Sequence, residues 1–425
     1  MRNPRFPATL FIALTFAIRL ATGGEMPESD RVYYPAPDAQ EGWRALSGED
    51  AVRTKACMEL SRLDQAFEFV KGTTKNGGLL VVRNGWLVYE RYFGQAHRES
   101  LCNTASCGKP FTSIAVGILM AEHPELFPDG LDQQIFTRQY FPPDMFPLSD
   151  PRKSKIRLGQ LLSFTAGIRG NNPCYVHGAE VTIEPAGPDG WQSMVDEIAT
   201  GHRDYGKPEH RISAATLWCE PGEGYSYASS SIHLASIMLR TVARQELQTY
   251  LDQKLAKPMG WGRWTYGYKS ARDVTHTPGA GGIALRPTDM LRFGYLLLRE
   301  GKWNDQQLVP AEFVRHCSRV SPYNPHYPYS LQFDVNSQGG ITQLPRDAFW
   351  KLGSGGHCLC VVPSASLVLW KLGGRDSQYG SEDLGTSAAA GQPPVQDDRS
   401  NWRPSADLNT AHIMTIKLVL DAICS

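Results

Sequence analysis

The sequence predicts an α+β fold: an antiparallel sheet flanked by helices, with a mainly helical lobe inserted into it. Three observations carry that. Two short apolar runs joined by Asn84-Gly85 form a hairpin near the start of the folded part. The middle, about 121–275, is poor in strand patterns. Three more apolar runs between Phe349 and Leu372 form a meander, and a closing helix follows. Sheet, helical insert, sheet, helix is not the order of repeated βαβ units.

The elements follow in order. Arg2 and Arg5 precede an apolar stretch from Phe6 to Ile18, and Ala21-Thr22-Gly23 offers small residues to a peptidase. That order reads as an export signal over residues 1–23. The run is too short to span a bilayer, which takes about 20 residues. The alternative is a buried N-terminal helix. Residues 24–55 are polar and read as a surface arm. Leu60, Leu63, Phe67 and Val70 give a helical spacing over 56–71. Leu79–Val82 and Trp86–Tyr89 are the hairpin strands, because Asn-Gly accepts the positive φ of a tight turn. Ser106 opens a helix through Leu119, with Pro110 in its first turn. Leu158–Phe164, Trp191–Thr200, Ser230–Arg244 and Leu247–Leu255 are the helices of the insert, and Gly167–Gly190 is a loop. Gly281–Leu285 reads as a strand and Pro287–Leu298 as a helix. Phe349–Leu352, Cys358–Val362 and Leu367–Leu372 form the meander. Residues 373–406 read as a long mobile loop, and Ile413, Ile416, Leu420 and Ile423 mark the last helix. The expected organisation is a leader at 1–23 and one domain at 24–425. Its sheet lobe covers about 56–120 and 276–425, and its helical lobe about 121–275.

Composition narrows the function. The 425 residues carry 43 basic and 43 acidic side chains, so the formal net charge is zero. No broad basic field invites nucleic acid or an anionic membrane. No later segment is apolar enough for an integral membrane span once the leader is removed. With 41% hydrophobic residues the chain is globular rather than disordered. An exported chain meets oxidising conditions, so some of the nine cysteines would pair, and the odd number leaves one over. There is no Cys-x-x-Cys and no His-Glu-x-x-His, so a structural zinc or thioredoxin-like reading has little support, and the serine chemistry below implies no metal or organic cofactor.

The chemistry starts at Ser106. Ser106-Cys107-Gly108-Lys109 is the one Ser-x-x-Lys of the chain. Residues three apart share a helix face, which sets the Lys109 amine beside the Ser106 hydroxyl. A serine attacks only when a base takes its proton. A lysine serves once burial or a neighbouring cation lowers its pKa. Cys107 adjoins the nucleophile and reads as a buried structural thiol. A second element, Pro221-Gly-Glu-Gly-Tyr-Ser-Tyr227-Ala-Ser229, delivers a phenol that can relay a proton to a leaving group. A third, Leu352-Gly-Ser354-Gly-Gly356-His357, offers glycines for close substrate approach and a backbone N–H for an oxyanion.

Order and spacing of these three elements resemble the penicillin-recognising serine hydrolases: class C β-lactamases, DD-peptidases, related esterases and aminohexanoate-oligomer hydrolases. The likeness runs from about Leu79 to Leu372. Asn84–Glu90, Ile156–Gly167 and Gly281–Asp289 also fit the family. The resemblance implies a β-lactamase/transpeptidase-like fold. It implies Ser106 as the acylated nucleophile, Lys109 as its base and Tyr227 as the proton relay. The N–H groups of Ser106 and His357 would hold the oxyanion, with Gly356, Ser229, Ser354 and Tyr175 at the substrate. Two departures stand out. Ser229 replaces the asparagine of the usual Tyr-x-Asn. Ser354-Gly355-Gly356 stands where relatives carry Lys or His before Thr-Gly. A missing cation disfavours substrates held by a carboxylate, as β-lactams are, and favours a plain ester or amide. The implied partner is a small-molecule or peptide-like ester or amide, met in the periplasm or outside the cell.

Two rival readings remain at this level. Gly224-Tyr-Ser226-Tyr-Ala228 mimics the nucleophile elbow of α/β-hydrolases, although no apolar strand precedes it. The two departures also suit a catalytically impaired, penicillin-binding-like ligand binder.

Overall fold

A computed structural model describes residues 32–148, 150–183, 217–267 and 277–424. The leader at 1–23, the start of the arm and the helix expected at Trp191–Thr200 lie outside the described residues.

The main sheet has seven strands, numbered in chain order: β1 Gly77–Arg83, β2 Trp86–Phe93, β3 Tyr329–Ser330, β4 Phe333–Val335, β5 Phe349–Gly353, β6 His357–Val362 and β7 Leu367–Leu372. They lie in the order β3-β4-β5-β6-β7-β1-β2, and each neighbouring pair is antiparallel. The β1–β2 turn is the expected one. Asn84 has φ 51° and Gly85 φ 75°, the left-handed pair that matches strand twist.

Strand parity divides the side chains. Trp350, Cys358, Cys360, Leu367 and Leu369 face one way, into a core with Leu63, Phe67 and Val70 of helix Leu60–Thr73 and Ile416 and Val419 of helix Ala411–Asp421. Lys351 and Gly353 face the other way. On that side lie the helices Pro287–Leu298 and Lys109–Glu122, joined by stacked Phe293 and Phe111 with ring centroids 3.8 Å apart. Gly294 lets its helix lie flush on the sheet, since a Cβ there would meet Val368 Cγ1 at 2.5 Å. Every residue from Lys109 to Leu119 is buried. A helix apolar on all sides belongs inside a core.

The insert contains the helices Leu158–Leu162, Ser229–Ala243 and Leu247–Leu251. It also carries a small three-stranded sheet, Ala179–Val181, Asn171–Val176 and Tyr225–Tyr227, that the sequence does not announce. Other expectations shift. The arm contains a helix, Glu49–Ala56. Only Ile283–Leu285 of the strand expected at 281–285 forms, because Gly281 and Gly282 take φ of +143° and +83°. Residues 373–406 are tied down rather than loose. They include short helices at Ser381–Leu384 and Thr386–Ala389. Gln392 brackets Leu101 through both its N and O, and Trp402 Nε1 donates to Lys71 O at 3.1 Å. All nine cysteines are free thiols. Among the described residues no helix is long and apolar enough to cross a membrane.

Candidate active site

Ser106 sits in a 3-10 turn, Ala105–Gly108, that runs directly into helix Lys109–Glu122. Two neighbours hold this turn. From one side comes the segment 279–283. Thr104 N and Oγ1 both donate to Ile283 O, Gly282 N donates to Ala105 O at 3.1 Å, and Thr112 Oγ1 donates to Gly279 O at 2.7 Å. Gly281 must be glycine here: its φ is +143° and a Cβ would meet Ala105 O at 2.4 Å. From the other side comes the end of β5. A Cβ on Gly353 would meet Thr104 O at 2.3 Å, and Cys107 Sγ donates to Lys351 O at 3.3 Å. Ala105 itself takes φ 48°, a strained value for alanine at the residue before the serine.

Lys109 Nζ donates to Ser106 Oγ at 2.8 Å and to Ala280 O at 2.6 Å. Its side chain is buried. Burial lowers the Lys109 pKa, the Tyr227 phenol opposes this, and Lys351 adds to it. Tyr227 ends the strand Tyr225–Tyr227, and its ring lies between two amines. Lys109 Nζ is 5.2 Å and Lys351 Nζ 4.8 Å from the ring centroid. Burial would raise the phenol's pKa, but Lys109 and Lys351 outweigh it, with help from Ser106, and it lies below the ordinary tyrosine value.

Ser106, Tyr175, Tyr227, Lys351 and Ser354 line one cleft of about 540 Å³. Tyr225 and Tyr327 stack in its wall at 4.7 Å, and Tyr175 packs on Tyr327 at 4.7 Å. Asp334 lines it too; burial pushes its carboxyl up to about 6, against the pull of Lys351.

Three sequence-stated residues fall elsewhere. Ser229 opens its helix and is not among the described residues lining the cleft. Gly356 and His357 line a second cavity behind the β5–β6 turn. The His357 ring is buried, accepts from Gly373 N at 2.9 Å through Nδ1 and stacks on Trp370. Burial pushes its pKa down to about 3, so it stays neutral.

The cation thought missing is present. β5 ends in Lys351-Leu352-Gly353, and Lys351 reaches the cleft beside Ser106. Gly355 and Gly356, at φ +96° and +88°, form the turn after the strand rather than its end. Lys351-Leu352-Gly353, a Lys-x-Gly at the end of a strand, thus lies in the cleft wall three residues before Ser354-Gly355-Gly356. Tyr225, Tyr327 and Asp334 line the cleft without a role assigned from the sequence; Tyr225 lies in the Pro221–Ser229 element, Tyr327 in the tyrosine-rich run 323–329, and Asp334 carries no sequence signal.

Cys107 is buried and its thiol is pushed up to about 12. Ser226, centre of the elbow mimic, is buried and accepts from Gly170 N at 2.9 Å, so it offers no exposed nucleophile. Among the described residues no three His, Cys, Asp or Glu side chains gather in a metal-binding group.

The arrangement joins a serine to a buried amine of lowered pKa, a phenol of lowered pKa and a second lysine, all around one cleft. Such a set can take a proton from a hydroxyl and return it to a leaving group. The Beta-lactamase family model matches residues 64–391. No curated protein matches this sequence. Among solved structures, one described as a 6-aminohexanoate-dimer hydrolase from Bacillus anthracis superposes with a TM-score of 0.59 at 20% identity, covering 92% of this chain and 91% of that one. A penicillin-binding protein homolog from Caulobacter crescentus gives 0.54 at 15% identity, covering 77% and 94%. Simvastatin synthase (LovD) from Aspergillus terreus gives 0.52 at 16% identity, covering 78% and 98%. At these identities the likeness is one of fold.

Proposed function

The chain belongs to the beta-lactamase family, and from that premise we propose that it is a serine hydrolase, cleaving an ester or amide through an acyl-enzyme on Ser106. The observation that carries the reading is the 2.8 Å contact between Lys109 Nζ and Ser106 Oγ at the edge of an open cleft. With the amine neutral, that contact runs from hydroxyl to nitrogen, and Lys109 takes the proton as Oγ attacks the carbonyl carbon. Tyr227, flanked by both amines, passes a proton to the departing oxygen or nitrogen. Water then attacks the acyl carbon, its proton returns along the same groups, and the acid leaves.

The backbone N–H groups of Ser106 and Ser354 are the proposed oxyanion donors, since both residues line the cleft and His357 does not. Tyr175, Tyr225 and Tyr327 are the proposed walls for the acyl or alcohol group. Lys351 restores a cationic handle, so a substrate carboxylate is no longer disfavoured. That removes one of the two grounds for an inert ligand binder. Residues 1–23 read as an export signal, which sets the action in the periplasm or outside the cell. N-terminal sequencing of the mature protein tests that part.

The test of the activity is turnover of p-nitrophenyl esters, linear amides and a penicillin by the purified protein, each repeated with Ser106→Ala. Release of nitrophenol that disappears in Ser106→Ala supports the hydrolase. A stable penicillin adduct on Ser106 without turnover supports the binder, and neither activity nor adduct removes both.

A further inference from the structure

The second cavity holds a charge that nothing in the described structure answers. It has a volume of about 370 Å³ and lies across the β5–β6 turn from the cleft, sharing Leu352, Gly353 and Ser354 with it. Lys371, from β7, lines it and is 2% exposed. Its ammonium donates to Gly356 O at 2.5 Å and makes no ion pair among the described residues. No lining residue is Asp or Glu. Thr74, 3% exposed, also lines it, and its hydroxyl has no hydrogen-bond partner among the described residues. The other lining groups include two more cationic residues, Lys75, which is paired with Asp376, and Arg375, and the apolar side chains of Trp402, Leu408 and Ala411. The two lining imidazoles stay neutral, since burial pushes His357 down to about 3 and His412 to about 4, with Lys371 adding to both.

A buried ammonium without a counter-ion is costly. An ammonium has three N–H donors, and one is committed to Gly356. We propose that this cavity is a binding site for a small organic carboxylate with an apolar body, its carboxylate held by Lys371 and Thr74 and its body against Trp402, Leu408 and Ala411. The volume is that of an ordinary small-molecule pocket. The site also touches the cleft's frame. Lys371 is one hydrogen bond from Gly356, and Gly356 shares a turn with Ser354, which lines both spaces. The inference does not depend on acylation at Ser106.

The experiment is calorimetric titration of the full chain carrying Ser106→Ala with octanoate, acetate and inorganic phosphate. Octanoate is expected to bind at one site. Acetate and phosphate should bind at least about tenfold more weakly, because neither carries an apolar chain to bury against Trp402, Leu408 and Ala411. Adding Lys371→Met should weaken octanoate about tenfold or more, the scale of a hydrogen bond to a charged group. Leu408→Trp keeps the lysine but fills the cavity from a side chain 52% exposed, so the fold should tolerate it, and it too should weaken octanoate. Lys351→Met, in the cleft, should leave octanoate affinity within about twofold. The proposal is overturned if octanoate does not bind at millimolar concentration or if phosphate binds better. Loss of binding with Lys351→Met, combined with indifference to Lys371→Met and Leu408→Trp, overturns it as well.

Discussion

Lys351 Nζ donates a buried 2.7 Å hydrogen bond to the Tyr329 hydroxyl, and its ammonium lies 4.8 Å from the centre of the Tyr227 ring. A lysine held there by one phenol acts on another. It depresses the pKa of Tyr227 and also that of Lys109.

Lys351→Met removes one of the cations that lower Lys109 and Tyr227. Both pKa values should rise. If the neutral Lys109 amine is the base, the ascending limb of kcat/KM against pH moves to higher pH in the variant. An unmoved limb in a folded, active variant would remove Lys351 from the electrostatics of the site.

Lys109→Ala and Tyr227→Phe should each lower kcat for ester hydrolysis by about two to four orders of magnitude, the span of acid–base groups. Stopped-flow or steady-state assay of nitrophenol release checks this. Near-native rates in both would defeat the assignment of roles.

Asp334 titrates near pH 6 because burial raises its carboxyl. Its charge changes in the range where many assays are run. A pH–rate profile of the wild type should show an inflection near there, absent in Asp334→Asn.

Gly353→Ala places a methyl carbon 2.3 Å from Thr104 O, so β5 and the nucleophile turn must part. Overpacking of this kind costs about 1–3 kcal/mol, readable as a lower urea midpoint. Activity should fall by about tenfold or more, because a displaced nucleophile loses alignment. Gly340→Ala, where an added Cβ meets nothing within 4 Å, is the control and should change neither.

Lys371 bears on stability. Burial lowers its pKa from 10.5 to about 8. The unfolded chain therefore holds the proton more tightly than the folded one, and stability falls as pH drops from about 10.5 to about 8. Below that range the penalty is complete. Lys371→Met should raise the melting temperature at pH 7 and flatten its dependence on pH across that window. A melting temperature that drops at pH 7 and keeps the wild-type slope would contradict this.

What could be read from sequence was what is local. Ser106 and Lys109 are one helical step apart, so their meeting needs no knowledge of the rest of the chain. Asn84-Gly85 fixes its own turn, and Pro287–Leu298 announces its helix by a proline start and apolar spacing. Tyr227 could be named from Tyr-x-Ser but not oriented, since the amines that flank it come from two other elements. Lys351 was overlooked because a glycine-rich turn and a strand end look alike in one dimension. Only strand parity, fixed by pairing with β6, turns that lysine toward the serine. Asp334 and Tyr329 sit on strands of two or three residues, too short for any periodicity. The helix at Glu49–Ala56 was hidden by its polar composition.

The four central groups arrive on three separate supports: Ser106 and Lys109 on one helix turn, Tyr227 on the small sheet, Lys351 on the main sheet. Warming that loosens the small sheet would carry the phenol away while serine and amine stay coupled. Heat inactivation should then run ahead of bulk melting, leaving a species that is still folded across β1–β7 and already silent toward substrate.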